Sequence, residues 1–344
     1  MTLDQWELLL KVIAGEKPKE KLIGFIIDSP WIPGWYKVSI LDYYVNPEVW
    51  FEANRKVVQD FSEVLFFPGF WSEFGMCTEP SAFGAKLIWP ENDFPFPGKI
   101  HDAEKGFGSL LKPDVRKEGL LPFVIKRLVH NQERIRATGH EIKFAVSRGP
   151  LNIASFLTGT TEFLMAVTMT PEETRKGLDV ITEFIIDWIS FQMETFREID
   201  GILILDDIVG FLDEYNFKEF AYPYLKKIYE SFPVKVKFFH NDAYGLICAP
   251  YLHEMGINLF NFSHEHGLDE MKKLTQNKVT LLGNIPGRDI LAHGSAEEIR
   301  KHVREAGASV VDTTRIIWSC GGGMPPDVPT ENIREFITAV RELG

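Results

Sequence analysis

Residues 234–242 read VKVKFFHND, an apolar run rich in β-branched and aromatic side chains that breaks abruptly into His240, Asn241 and Asp242. Such a run reads as a buried strand that delivers an imidazole and a carboxylate to a rim. Residues 315–320, RIIWSC, repeat the pattern and then open into Gly321, Gly322 and Gly323, which presents a thiol beside backbone that can approach a ligand closely. If the two strands end on the same face of one sheet, His240, Asp242 and Cys320 form a three-ligand set that zinc accepts, one per chain, with a fourth position free for substrate. That condition is a question of fold.

Working outward, six further stretches behave alike: LIGFII (22–27), EVLFFPGFW (63–71), KFAVSRGP (143–150), GILILDDIVG (201–210), INLFNFSHEH (257–266) and VTLLGNIPG (279–287). Helical periodicity separates them, over 47–61, 119–139, 152–167, 172–198, 216–231, 249–256, 267–276, 296–306 and from Thr330 onward. Near-continuous apolar strands alternating with helices are what a parallel sheet covered on both faces shows. Eight of them predict a single α/β domain over residues 1–344, a (β/α)8 TIM-type barrel, with 68–118 as an aromatic-rich insertion after the second strand that caps the mouth. The decisive feature is polarity at the carboxyl ends of the strands, where barrel enzymes place their chemistry: Asp28, Arg148, Asp206 and Asp207, His240 and Asp242, His264 to His266, Asn284, and Cys320. An open doubly wound sheet is the competing arrangement. It normally carries a Gly-rich phosphate loop after its first strand, and SPWIPGWY (29–36) is not one.

Composition removes several functions. With 344 residues, 45% hydrophobic and 25% charged, the chain has the make-up of a globular protein, and no apolar run approaches the roughly 20 residues of a membrane span. A formal net charge of -12 disfavours nucleic acid and anionic membrane, both of which are bound through clustered Lys and Arg. The partner expected is a small molecule. Cys77, Cys248 and Cys320 are too few and too scattered for a disulfide framework and fit a reducing cytoplasm. The N-terminus carries Asp4 and Glu7 among its apolar residues and pairs Thr2 with Gln5, the pattern of a capped helix and not of a signal peptide.

Each candidate has a plainer reading beside it. His240 alone would be a core histidine satisfied by a carbonyl; in the company of Asp242 and Cys320, metal ligation is preferred. A Cys320–His240 nucleophile pair, with the Gly321–Gly323 amides as an oxyanion hole, is the further option. His264, Glu265 and His266 close the next strand, so one of them, Glu265 foremost, is a fourth ligand or a supporting hydrogen-bond partner, or else part of a solvated loop. Asp206 and Asp207 offer one general base or hydroxyl-binding carboxylate and one loop cap. Arg148, the one arginine at a strand's carboxyl end, is suited to gripping a carboxylate bidentately or to an exposed ion pair. Trp31, Trp35, Tyr36, Phe66, Phe67, Phe70, Trp71, Phe74 and Trp89 are expected to divide between core and an apolar pocket over the mouth.

Four segments, GEKPKEKL (15–22), GPLNIASFLTGTTEFL (149–164), GNIPGRDILAHGSAEEI (283–299) and GGGMPPDVPTENI (321–333), resemble the uroporphyrinogen decarboxylase superfamily across nearly the whole chain. The resemblance implies a (β/α)8 barrel and either porphyrinogen decarboxylation or zinc-dependent methyl transfer to a corrinoid carried by a partner protein. The decarboxylases' arginine-rich loop after the first strand falls on SPWIPGWYKVS, which has no arginine; their aspartate after the second strand falls near Phe66, Phe67 and Pro68; their GHG histidine falls at Gly322. The methyltransferase branch carries His-x-Cys after the fifth strand and Cys after the eighth, matched by His240 and Cys320, with Asp242 replacing the middle cysteine. The expected activity is therefore metal-dependent methyl transfer between a small, methoxylated substrate and a corrinoid protein. The alternatives are a metal-free carboxy-lyase, with Arg148 holding a carboxylate and Asp206 or Asp207 supplying a proton, and a catalytically silent binder of a corrinoid or tetrapyrrole.

Overall fold

The apolar runs become eight short parallel strands in a computed structural model that describes residues 1–101 and 107–343. They are β1 (Gly24–Ile26), β2 (Leu65–Phe67), β3 (Phe144–Arg148), β4 (Gly201–Leu205), β5 (Val236–Asn241), β6 (Leu259–Phe262), β7 (Thr280–Ile285) and β8 (Ile316–Cys320). Strands β3 to β8 pair in chain order, and β1 pairs with β2. A bridge from Ile23 to Trp318, with the Trp318 N–H donating to the Leu22 carbonyl at 2.8 Å, sets β1 beside β8. The strand order is thus β2-β1-β8-β7-β6-β5-β4-β3.

No ladder joins β2 to β3 among the described residues; side chains span that seam. Phe67 and Phe144 meet edge to face with ring centroids 5.9 Å apart. Both belong to an inner core to which every strand contributes, including Ile26, Leu65, Val146, Leu203, Phe238, Leu259, Leu282 and Ile317. The helix Leu3–Ala14 closes the amino-terminal end of this core through Trp6, Leu9 and Val12, held by the predicted Thr2–Gln5 capping box. A second, larger core lies between the strands and the surrounding helices. This is the predicted (β/α)8 barrel, with one seam bridged by packing.

Side chains alternate across a strand, so the inner core sets what faces the mouth. Phe238 points inward and so does His240 two residues on; Leu259 leads to Asn261, Leu282 to Asn284, Val146 to Arg148 and Ile26 to Asp28. The same rule puts Cys320 on the outer side with Ile316 and Trp318, in the layer between strands and helices.

Several elements are shorter than their patterns. The second strand covers 65–67, not 63–71, because Pro68 cannot continue a ladder. The helix expected over 152–167 is two, Pro150–Thr158 and Thr160–Met169, broken at Gly159 with φ 101°. Residues 216–231 likewise divide into Glu214–Phe220 and Tyr222–Glu230, and 249–256 holds only a short 3-10 turn. Within 68–118 lie a helix, Thr78–Ala82, and a two-residue antiparallel pair, Leu87–Ile88 with Phe96–Pro97; residues 102–106 of that segment lie outside the described residues. Trp31, Phe66, Phe67, Phe70 and Trp71 are core, Phe74 is core and also lines a cavity, and Trp89 lines that cavity from the surface. No described helix is long and apolar enough to cross a membrane.

His140 packs against Phe70 just before β3, with Nδ1 3.2 Å from Thr138 Oγ1. Burial lowers it from the usual 6.5 to about 4. The unfolded chain therefore takes up a proton that the folded chain refuses as pH falls from 6.5 towards 4, so stability present above 6.5 is lost across that window. Thermal melts of His140→Gln should show a shallower dependence on pH between 6.5 and 4 than the parent protein; an unchanged slope would clear His140 of the effect.

Candidate metal centre

Strand parity delivers His240 to the mouth, and its neighbours fix what it offers there. Asn261, paired with His240 across β5 and β6, lies 2.8 Å from His240 Nδ1 through its Oδ1. The Asn261 amide nitrogen donates to the Leu282 carbonyl at 2.8 Å, which leaves the oxygen turned to the imidazole. An acceptor at Nδ1 requires the proton there, so in the neutral imidazole Nε2 is the nitrogen that offers a lone pair to the mouth. Nε2 stands 3.6 Å from Asp207 Oδ1 and 3.9 Å from Asp242 Oδ2. These three ligand atoms lie within 4.8 Å of one another.

Asp207 reaches this position through its own scaffold. Asp206 is fully buried, and its carboxylate accepts the Leu151 and Asn152 N–H groups at 2.8 and 3.0 Å, capping the helix Pro150–Thr158 from outside. Gly149 makes room, since a Cβ there would fall 2.3 Å from Asp206 Oδ2. Asn152 Oδ1 in turn accepts the Asp207 and Ile208 N–H groups at 3.1 and 3.2 Å, and Asp207 Oδ1 accepts the Asp242 N–H at 3.1 Å. Burial raises the Asp207 carboxyl above its usual range; the imidazole of His240 opposes this and the charge of Asp242 adds to it. Of the two aspartates proposed as catalytic, Asp206 takes the capping place and Asp207 joins His240.

Cys320 and Glu265, proposed as ligands from sequence, do not join the three. The buried Cys320 thiol lies 3.9 and 4.0 Å from the Gly322 and Gly323 carbonyl oxygens, and burial, with the charge of Asp242 adding to it, pushes it up to about 12. Glu265 is exposed, at the end of a strand whose inward position is taken by Asn261. His266 is turned to the Tyr244 carbonyl at 2.6 Å, and His264 is exposed. Gly322, at φ 77°, lies against Asp242, where a Cβ would fall 2.7 Å from Oδ2.

Across the mouth, Arg148 is neither exposed nor free. Its guanidinium pairs with Glu73 at 3.2 Å and Glu79 at 3.5 Å, both buried, and its backbone N–H donates to Glu79 Oε1 at 3.1 Å. A buried guanidinium requires counter-charge, and the 68–118 segment supplies it. Asp28 completes the group: burial and the charge of Glu73 hold its carboxyl well above the usual range, with Arg148 opposing. Sequence reasoning missed Glu73, Glu79, Asn152 and Asn261. Asn261 had a signal, an amide inside the apolar run NLFNF; the others had none.

One imidazole nitrogen and two carboxylates at these separations, with the imidazole's far nitrogen already engaged, fit a divalent cation with room for exogenous ligands.

The family model for uroporphyrinogen decarboxylase (URO-D) matches residues 35–343. Two relatives, each named uroporphyrinogen decarboxylase, are similar at low identity: one from Legionella pneumophila at 24% over 336 residues (91% of this chain, 90% of the relative), and one from Psychromonas ingrahamii at 23% over 280 residues (78% and 76%). Among solved structures, a methyltransferase from Methanosarcina mazei superposes with a TM-score of 0.79 at 18% identity, covering 97% of each chain. A B12-independent methionine synthase from Shewanella superposes with 0.56 at 13% identity, covering 85% and 86%. A match by the family model over all but the first 34 residues and the last one, on a barrel of the same kind, means that this chain belongs to the uroporphyrinogen decarboxylase (URO-D) family.

Proposed function

We propose that the chain is a methyltransferase that moves a methyl group between a small methoxylated substrate and a corrinoid carried by a separate protein, with a divalent ion of the zinc class held by Asp207, His240 and Asp242. The observation that carries this reading is the convergence of those three ligand atoms around an imidazole whose tautomer Asn261 selects. A bound ion would supply Lewis-acid polarisation of the substrate oxygen, and carboxylate donors suit an oxygen-bearing substrate better than a thiol. The chain's own groups do the positioning. Asn261 and Asn152 hold His240 and Asp207 in place, the inner core closes the barrel floor against water, and Gly322 lets the β8 loop pack against Asp242. In this reading the chain acts as one barrel with 68–118 as its cap.

The lyase alternative has the relatives' names in its favour. It needs a cation free to hold a substrate carboxylate, and Arg148 is already paired with Glu73 and Glu79. Methyl transfer is therefore preferred.

The test is elemental analysis of protein purified without oxygen or a chelating column, followed by assay with free cob(I)alamin and methoxylated aromatics. About one zinc per chain and substrate-dependent appearance of methylcobalamin are expected. Metal-free protein that releases carbon dioxide from a carboxylated substrate would replace this reading with the lyase.

A further inference from the structure

We infer that the chain has a second ligand site, for a small apolar or aromatic carboxylate, in a cavity that none of Asp207, His240 or Asp242 lines. The cavity measures about 710 Å³, inside the range in which proteins bury small molecules. One wall is a corner of three rings. Tyr44 and Phe74 have centroids 5.6 Å apart, Tyr44 and Trp89 6.0 Å, and Phe74 and Trp89 6.1 Å at 89°. The two pairs that Trp89 makes are set edge to face, so the corner offers both a face and an edge to a planar guest. This corner is preorganised: the Tyr44 hydroxyl donates to Ser29 Oγ at 2.5 Å, and Ser29 Oγ donates to Glu73 Oε1 at 2.7 Å. Phe123 forms part of the lining while remaining 62% exposed, apolar surface that a guest would cover.

Charge selects the guest. The chain has a formal net charge of -12, yet among the described residues no Asp or Glu lines this cavity, and Lys126, Arg127 and His130 do. Arg127 is spent on the Tyr44 and Glu73 carbonyls and stacks 4.5 Å from the Phe74 ring centroid. Lys126 makes no ion pair among the described residues. A ring or short alkyl chain in the aromatic corner with its carboxylate on Lys126 satisfies both features.

The experiment titrates benzoate, octanoate and the neutral control benzamide, by calorimetry and tryptophan fluorescence, into the full chain and into Lys126→Glu, Trp89→Ala and His240→Ala. Saturable binding of the carboxylates is expected, about tenfold weaker or more in Lys126→Glu, the scale of one charge-assisted contact. Trp89→Ala should weaken it similarly, benzamide should bind at least about tenfold more weakly than benzoate, and His240→Ala should leave benzoate affinity unchanged. Binding of benzamide equal to benzoate, or affinity that follows His240→Ala and ignores Lys126→Glu, would overturn the assignment. So would failure of either carboxylate to saturate, including through a second copy of the chain covering this face, which light scattering on the same samples would reveal.

Discussion

At the proposed centre, His240→Ala is expected to lower divalent-metal affinity by more than the roughly 10–100-fold that loss of a supporting partner alone produces. His240 supplies the only nitrogen in the Asp207–His240–Asp242 set, and without it two carboxylates remain that already repel each other. Asn261→Leu should cost about 10–100-fold while all three ligands stay present, because the imidazole would no longer be held with its proton on Nδ1. Elemental analysis and competition with a chromophoric chelator check both. If Asn261→Leu matches the parent in metal affinity, the tautomer argument is wrong; if His240→Ala retains full occupancy, the centre itself is misplaced.

Arg148→Met is expected to destabilise the protein by about 3–5 kcal/mol, the scale seen when one partner of a buried ion pair is removed. Glu73 and Glu79 are 3% and 2% exposed, so the variant would leave two carboxylates without their guanidinium, beside an Asp28 whose carboxyl already holds its proton unusually well. Glu73→Gln combined with Glu79→Gln in the Arg148→Met background should recover part of the loss, since the uncompensated charges are then gone. Urea denaturation of the parent, Arg148→Met and the triple variant measures this directly. A variant that keeps its full stability and loses only activity would instead make Arg148 the grip on a substrate carboxylate and restore the lyase reading.

The two outcomes bear on different sides of the same mouth. On the His240 side a ring nitrogen stands 3.6 and 3.9 Å from two carboxylates, an arrangement that invites a cation. On the Arg148 side the positive charge is already balanced by protein, so what remains is rigidity.

The barrel and its polar mouth were legible in the sequence because both follow from local periodicity. Apolar runs such as GILIL and VKFF identify strands whatever surrounds them, and alternation along each run carries His240 and Asn261 inward with Phe238 and Leu259. Alternation also turns Cys320 outward with Trp318, a consequence available from RIIWSC itself once the inner positions are known. Other features had no local signature. Asp207 follows Leu203 and Leu205 to the inward side, but its place beside His240 depends on Asn152, which accepts the Asp207 and Ile208 amides from a helix that Asp206 caps 55 residues earlier in the chain. Glu73 and Glu79 reach Arg148 across 75 and 69 residues of sequence. The β2–β3 seam is held by Phe67 and Phe144, which no pattern in either strand announces. Sequence alone determined which strand ends carry polar residues, since apolar runs mark the strands; only the tertiary structure decided which of those residues turn inward and meet, since the inner face and the loop paths are set by packing, hydrogen bonds and ion pairs over long separations.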